Sequence, residues 1–395
     1  MTPLDRAADL ARRGRFDAAL RLLIATPGED EALAAFRQGA LALRRNDAFA
    51  AVAAFERLAA QDPGFPVLRE ALVSAYRRDA RHEQAIALAE AGAKSRQIRY
   101  EQGLAHLALG QAQAALACFD AILATDPEHA VSWLASHACA LETHGLDAAL
   151  ERLRRACACK GANGRYWAFP VAYGLLTGTD VSALEAAEIS PYPARQALVD
   201  GVRALGPFMP RRPRLFALSA STLNFALDQA DQPGLVLEFG VRRGTSLNVL
   251  AGGAGQQVHG FDSFEGLPDA WGAEPAGVLT TGAQLPKVAA NAQLHAGWFK
   301  DTLPPFLAER DETVRLVNID SDIHASAREV LFALAPRLRP GSVIVFDELI
   351  GNRTWADDEF KAFAEFVQAF EAKVEILAVA PFTKQVVMRV LTLSP

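Results

Sequence analysis

Cysteine is scarce in this chain. Only Cys118, Cys139, Cys157 and Cys159 occur in 395 residues, and none follows Cys159. So few thiols in so long a chain make no disulfide framework, and a reducing, cytoplasmic compartment is the expectation. Beyond Cys159 the chain offers no thiol nucleophile and no thiolate zinc site. Lysine is rare too: seven of 40 basic residues are Lys. The arginine excess reads as compositional bias rather than phosphate recognition. A charge of one sign is also missing. With 46 acidic residues the net charge is −6 and the pI about 5.8, which excludes a nucleic-acid partner held by bulk charge. No apolar run approaches the roughly 18 residues of a membrane helix, so no span is expected. The stretch Met1 to Arg15 carries Asp5, Arg6, Asp9, Arg12 and Arg13 and lacks an apolar signal core.

What is present is a globular composition, 51% apolar and 22% charged, with length enough for two or three domains. Repeats organise the first part. Arg45-Asn46-Asp47, Ala51, Phe55 and Pro63 form a turn–Ala–Phe–Pro frame that returns as Gly110, Ala115, Phe119 and Pro127. Ala85 lies 34 residues after Ala51, and weaker copies surround Ala19 and Ala149. Small residues let paired helices approach, phenylalanine fills the gap, and proline ends the second helix. This region resembles tetratricopeptide repeats, about five units over residues 4–158, with a plain Ala-rich bundle as the alternative. Such arrays present a concave face, which makes a protein partner in the groove or a homo-oligomer the expectation. Cys157 and Cys159 have no nearby His or Cys partner. They read as a helix end, with a soft-metal site as the alternative. We divide the chain into repeats over 1–158, a helical connector over 159–215 and a sheet domain over 216–395. Arg211, Arg212 and Arg214 in the connector read as solvated surface, or as contacts to an anion.

Beyond residue 216, short apolar runs alternate with helical patterns. The runs start at Leu235, Val258, Gln293, Val314, Ser342, Val374 and Gln385, and helices are expected over 326–338 and 357–372. Alternation of this kind predicts an α/β domain with a doubly wound, mostly parallel, seven-stranded sheet behind the α-helical solenoid. The last two runs are too close for a helical crossover and should pair as an antiparallel hairpin. Ligands of such sheets bind at the carboxyl ends of the strands. Here those ends carry Glu238, Asp262, Asp320 with Asp322, and Asp347 with Glu348. A sheet built only for stability needs none of these charges.

Glu238-Phe239-Gly240-Val241-Arg242-Arg243-Gly244-Thr245-Ser246 follows the first of these strands and opens a helix at Thr245. Its glycines let a ligand approach the main chain. The third glycine of the dinucleotide fingerprint is missing, which disfavours a nicotinamide-dependent oxidoreductase. Asp262, at the end of the second strand, is suited to two ribose hydroxyls. This pattern resembles the S-adenosylmethionine site of class I methyltransferases.

Four further motifs follow in order. They are Gly260-Phe261-Asp262-Ser263-Phe264-Glu265-Gly266-Leu267-Pro268, Gly297-Trp298-Phe299-Lys300-Asp301-Thr302-Leu303-Pro304, Asn318-Ile319-Asp320-Ser321-Asp322 and Phe346-Asp347-Glu348. Together they resemble the macrocin O-methyltransferase family over about residues 216–392. The resemblance implies methyl transfer from S-adenosylmethionine to a hydroxyl, commonly on a sugar, with Mg²⁺. It implies cofactor contacts at Glu238, Gly240, Gly244, Thr245, Ser246, Asp262, Ser263, Phe264, Trp298, Phe299 and Asp320. It further implies metal ligands at Asp320 and Asp347 with Glu348 beside them, and a general base at Asp322. An all-carboxylate set suits a hard cation. The family often has Asp-Asp where Asp347-Glu348 stands, and Tyr where His324 stands. His324 is a candidate for substrate binding or proton transfer, or simply a histidine that opens a helix. Trp271 is a candidate for an acceptor lid, or for ordinary loop packing. Helix capping is the competing account of the acids, but it explains four at strand ends poorly. The acceptor expected is a small molecule or glycan. A catalytically silent scaffold acting through its repeats is the alternative function.

Overall fold

Aspartate and serine start the repeat helices. Asp30 accepts the Leu33 amide at 3.1 Å, Asp47 the Ala50 amide at 2.9 Å and Ser95 the Ile98 amide at 3.3 Å, each satisfying an otherwise orphaned N–H. The structure is a computed structural model that describes residues 1–27 and 30–394. Its first part holds five helix pairs: α1 (Pro3–Arg12) with α2 (Phe16–Ala25), α3 (Glu31–Arg44) with α4 (Ala48–Gln61), α5 (Leu68–Arg78) with α6 (His82–Glu90), α7 (Arg96–Ala108) with α8 (Ala112–Leu123), and α9 (Ala130–His144) with α10 (Leu146–Ala158). The small-residue logic holds at atomic level. Ala51, Ala85, Ala115, Phe55 and Phe119 are fully buried. Phe55 of α4 fills the space where a Cβ on Gly39 of α3 would come within 2.5 Å of its ring, and Phe119 of α8 does the same at Gly103 of α7, 2.7 Å. Cys157 and Cys159 sit at the end of α10, and the Cys159 thiol donates to the Arg155 carbonyl. All four cysteines are free, and burial pushes their thiols above the usual range.

Next come α11 (Ala168–Thr177), α12 (Ser182–Glu188) and α13 (Ala197–Ala204). They do more than connect. Val171, Ala172, Leu198, Val199 and Val202 share one core with Phe346, Ile350 and Phe363 of the sheet half. Arg211 lies at the surface, 3.7 Å from Glu375.

The sheet half runs β1 (Arg214–Leu215), α14 (Ser219–Gln229), β2 (Leu235–Phe239), α15 (Thr245–Ala254), β3 (Val258–Asp262), β4 (Ala292–Ala296), α16 (Phe299–Ala308), β5 (Val314–Ile319), α17 (His324–Leu334), β6 (Val343–Phe346), α18 (Glu359–Ala369), β7 (Lys373–Ala380) and β8 (Gln385–Thr392). The sheet has eight strands, in the order β1-β7-β8-β6-β5-β2-β3-β4, where seven were expected. The extra one, β1, is a two-residue edge strand parallel to β7. It is too short to show alternation. The β7–β8 hairpin is antiparallel, and β8 also pairs antiparallel with β6. The other ladders are parallel. β2 is flanked by β3 and β5, so successive strands leave it in opposite directions and open a crevice at its carboxyl end. No helix among the described residues is long and apolar enough to cross a membrane.

Candidate active site

The crevice is shaped first by backbone. Gly240 follows β2 at φ +97°, and a Cβ there would lie 1.7 Å from the Asp320 carbonyl oxygen. Only glycine lets the ends of β2 and β5 come this close. Gly244 turns the chain into α15 at φ +79°. Asp262 holds the loop between them. Its Oδ2 accepts the Val241 and Arg242 amides at 2.8 and 2.7 Å, and its Oδ1 accepts the Phe264 amide at 2.6 Å.

A cavity of about 540 Å³ opens here, lined by Gly240, Asp262, Ser263, Trp298, Phe299, Asp320, Asp322, Asp347 and Glu348 among others. The ends of β5 and β6 concentrate negative charge against it. Burial, and then the facing carboxylates, push Asp322 up to about 8 and Asp347 up to about 7, and Asp320 well above the usual range. Asp322 stands at φ +62° and is buried. Gln385 of β8 donates to Asp347 at 2.6 Å, and the Lys384 ammonium lies 3.0 Å from Glu348. Fully buried Glu359, at the start of α18, accepts the Ser321 amide at 3.1 Å and the Glu348 amide at 3.3 Å. It thereby fixes both acidic loops relative to each other. Among the described residues no group of three or more His, Cys, Asp and Glu side chains is gathered for a metal. Glu348, expected beside a metal, is instead held by Lys384 and Asn352.

Nine of the residues expected in the site therefore meet in one cavity. Six others do not line it. Glu238 is fully buried behind the strand end, where Asn318 of β5 donates to it at 2.9 Å and burial pushes its carboxyl up to about 8. Gly244, Thr245 and Ser246 shape the loop and start its helix. Phe264 packs in the core with Leu247 and Val241, and its carbonyl accepts the Thr281 and Ala283 amides. His324 is a correction. Its Nε2 lies 3.1 Å from Glu365 of α18, and the ring does not line the cavity. Opening α17 turns this side chain toward the neighbouring helix rather than the crevice.

Trp271, a candidate lid residue, does line the cavity, and its indole donates to Asp358 at 3.3 Å. Arg242 joins it there without any signal in the sequence. It lines the cavity from the glycine loop at φ +49° and donates through Nη2 to the Arg78 carbonyl at the end of α5. The repeat array thus touches the site. Across a second seam, Glu142 of α9 accepts the Ala217 amide at 2.9 Å.

Residues 237–349 match a family model described as a methyltransferase domain. A curated relative, the 8-demethyl-8-(2,3-dimethoxy-alpha-L-rhamnosyl)-tetracenomycin-C 4'-O-methyltransferase of Streptomyces olivaceus, is 33% identical over 143 residues, covering 29% of this chain and 53% of the relative. The chain therefore spans about half the length of that relative. Among solved structures, the calicheamicin methyltransferase CalS11 is 21% identical, with a TM-score of 0.36 over 56% of this chain and 91% of that one. The tetratricopeptide protein TTC0263 of Thermus thermophilus is 22% identical, with a TM-score of 0.31 over 40% of this chain and 90% of that one. Residues 237–349 thus resemble a methyltransferase domain, and five helix pairs precede them in the chain.

Proposed function

We propose that this protein transfers a methyl group from S-adenosylmethionine to a hydroxyl of a sugar or another small polyhydroxylated acceptor. One observation carries the reading: the Gly240 loop, Asp262 and the acids ending β5 and β6 face one cavity where the strand order reverses. The partial likeness to a relative named as a rhamnosyl O-methyltransferase supports a sugar acceptor.

When bound, S-adenosylmethionine supplies an electrophilic methyl on a cationic sulfur. Asp262 already spends lone pairs on three amides, and the remaining one suits a ribose hydroxyl. Trp298 and Phe299 offer apolar walls to the adenine. Asp322 takes the acceptor hydroxyl's proton, freeing an oxygen lone pair for the methyl carbon, whose bond to sulfur would break with its electron pair left on sulfur. Trp271 and Leu267 wall the cavity and limit water. The donor set is chemically suited to a hard divalent cation. In this reading Asp320 and Asp347 would hold Mg²⁺, which would supply Lewis-acid activation of the acceptor hydroxyl. The repeats brace the glycine loop and leave a groove for a protein partner.

Isothermal titration of the full chain with S-adenosylmethionine, with and without Mg²⁺, tests the reading. Saturable binding at one site is expected. Absence of binding under both conditions sinks it.

A further inference from the structure

A second and larger cavity, about 820 Å³, lies beyond the acids, between α11–α13 and the loops after β6 and β7. Three cations from separate segments line it: Arg165 ahead of α11, Arg353 after β6, and Lys384 in the β7–β8 turn. Arg195 also lines it but is already paired with Glu188 at 2.8 Å. Arg165 and Arg353 have no ion-pair or hydrogen-bond partner for their guanidinium groups among the described residues. Asp200 is the one acid in the lining. This positive concavity stands out in a chain of net charge −6. Its walls include Tyr166, Trp355 and Phe382, flat surfaces on which a ring can stack.

One side-chain contact separates this cavity from the first. Lys384, in its wall, donates to Glu348, in the wall of the first cavity, at 3.0 Å. Asn352 bridges the same pair. Arg353 and Trp355 belong to the loop that begins at Asp347 and Glu348. A cationic, aromatic-walled chamber therefore adjoins the cavity that holds Asp322, across the Lys384–Glu348 contact.

We propose that this chamber binds an anionic arm of the methyl acceptor, a phosphate or carboxylate carried by a sugar, through Arg165 and Arg353. Guanidinium forks match either oxyanion, and low-dielectric walls strengthen the attraction. The inference rests on the methyl-transfer reading above. It narrows the acceptor from any polyhydroxylated molecule to an acidic one.

The test titrates the full chain, saturated with S-adenosylhomocysteine, with glucose phosphate, glucuronate and uncharged methyl glucoside. At least one anionic sugar should bind about tenfold or more tightly than methyl glucoside, and added salt should weaken it. The double variant Arg165→Gln/Arg353→Gln should lose roughly tenfold or more of that affinity. Both arginines are exposed, so the fold and the affinity for S-adenosylmethionine should be unchanged. Preference for glucose phosphate assigns a phosphate arm, and preference for glucuronate a carboxylate arm. Equal binding of methyl glucoside and both anions, or a double variant that binds the anion like the wild type, overturns the proposal. Failure of S-adenosylmethionine to bind would instead strike the methyl-transfer reading, so the two failures are separable.

Discussion

Arg243 of the glycine loop lies 2.7 Å from Asp79, the residue that ends α5 in the third repeat pair. Asp79 is fully buried and also faces Arg81 at 2.7 Å and Arg242 at 4.0 Å. A single carboxylate of the repeats is therefore the shared counter-charge of the two arginines in the loop that shapes the cavity. Asp79→Asn leaves those partly buried guanidinium groups without their counter-charge, a loss of about 1–3 kcal/mol. The variant should lose stability in urea and bind S-adenosylmethionine several-fold more weakly, by roughly 1 kcal/mol or more. Lost stability with unchanged affinity would reduce the array to a support with no influence on the cofactor.

Gly240→Ala tests the backbone contact behind the same loop. Its Cβ would meet the Asp320 carbonyl oxygen at 1.7 Å, and each residue directly follows a strand of the sheet. The strained φ and the forced parting of β2 from β5 should cost at least about 2 kcal/mol. Thermal unfolding would detect it. A midpoint like that of the wild type would mean the strand ends separate freely.

The parts of this site that can be read in the sequence are local. Gly240, Gly244 and Asp262 follow from strand, turn and helix in one stretch, and Asp320, Asp322 and Asp347 follow from strand ends. What escapes is long-range. Asp79 meets Arg243 across 164 positions, and Lys384 meets Glu348 across 36. No periodicity encodes such pairs. His324 shows the opposite failure, since nearness in sequence to Asp322 says nothing about which way a helix's first side chain turns. Glu238 lies in β2, where every residue is buried, and its partner is Asn318 on the neighbouring strand rather than the cavity.

Asp322→Asn should separate chemistry from binding. Asparagine tolerates the left-handed backbone found there, φ +62°, so the loop should keep its shape. Removing a general base costs typically about 10²–10⁴ in rate. Turnover measured with radiolabelled methyl donor should fall by that order while S-adenosylmethionine affinity stays within about threefold, under 1 kcal/mol. Undiminished turnover would remove Asp322 from the reaction.

Magnesium binding has a readout independent of turnover. Ligand that binds only the folded chain raises its unfolding midpoint. Millimolar Mg²⁺ should therefore stabilise the wild type and leave Asp320→Asn/Asp347→Asn unmoved. Identical responses of the two proteins would place any cation elsewhere.

Acid should loosen the seam between array and sheet through His137. This fully buried residue of α9 packs against Phe169 of α11, 5.6 Å between rings, and Phe382 of the β7–β8 turn, 5.1 Å. Burial lowers its pKa from 6.5 to about 4. The folded chain therefore resists a proton that the unfolded chain accepts. The stability it contributes is complete above the unfolded value and is lost as pH falls toward the folded one. Between about pH 7.5 and about pH 5 that loss is about 2 kcal/mol. His137→Phe keeps a ring in the seam but cannot take the proton. Urea unfolding at both pH values should show a smaller acid loss in the variant than in the wild type, by about that amount. Equal losses would mean that the seam opens, or hydrates, before the histidine titrates.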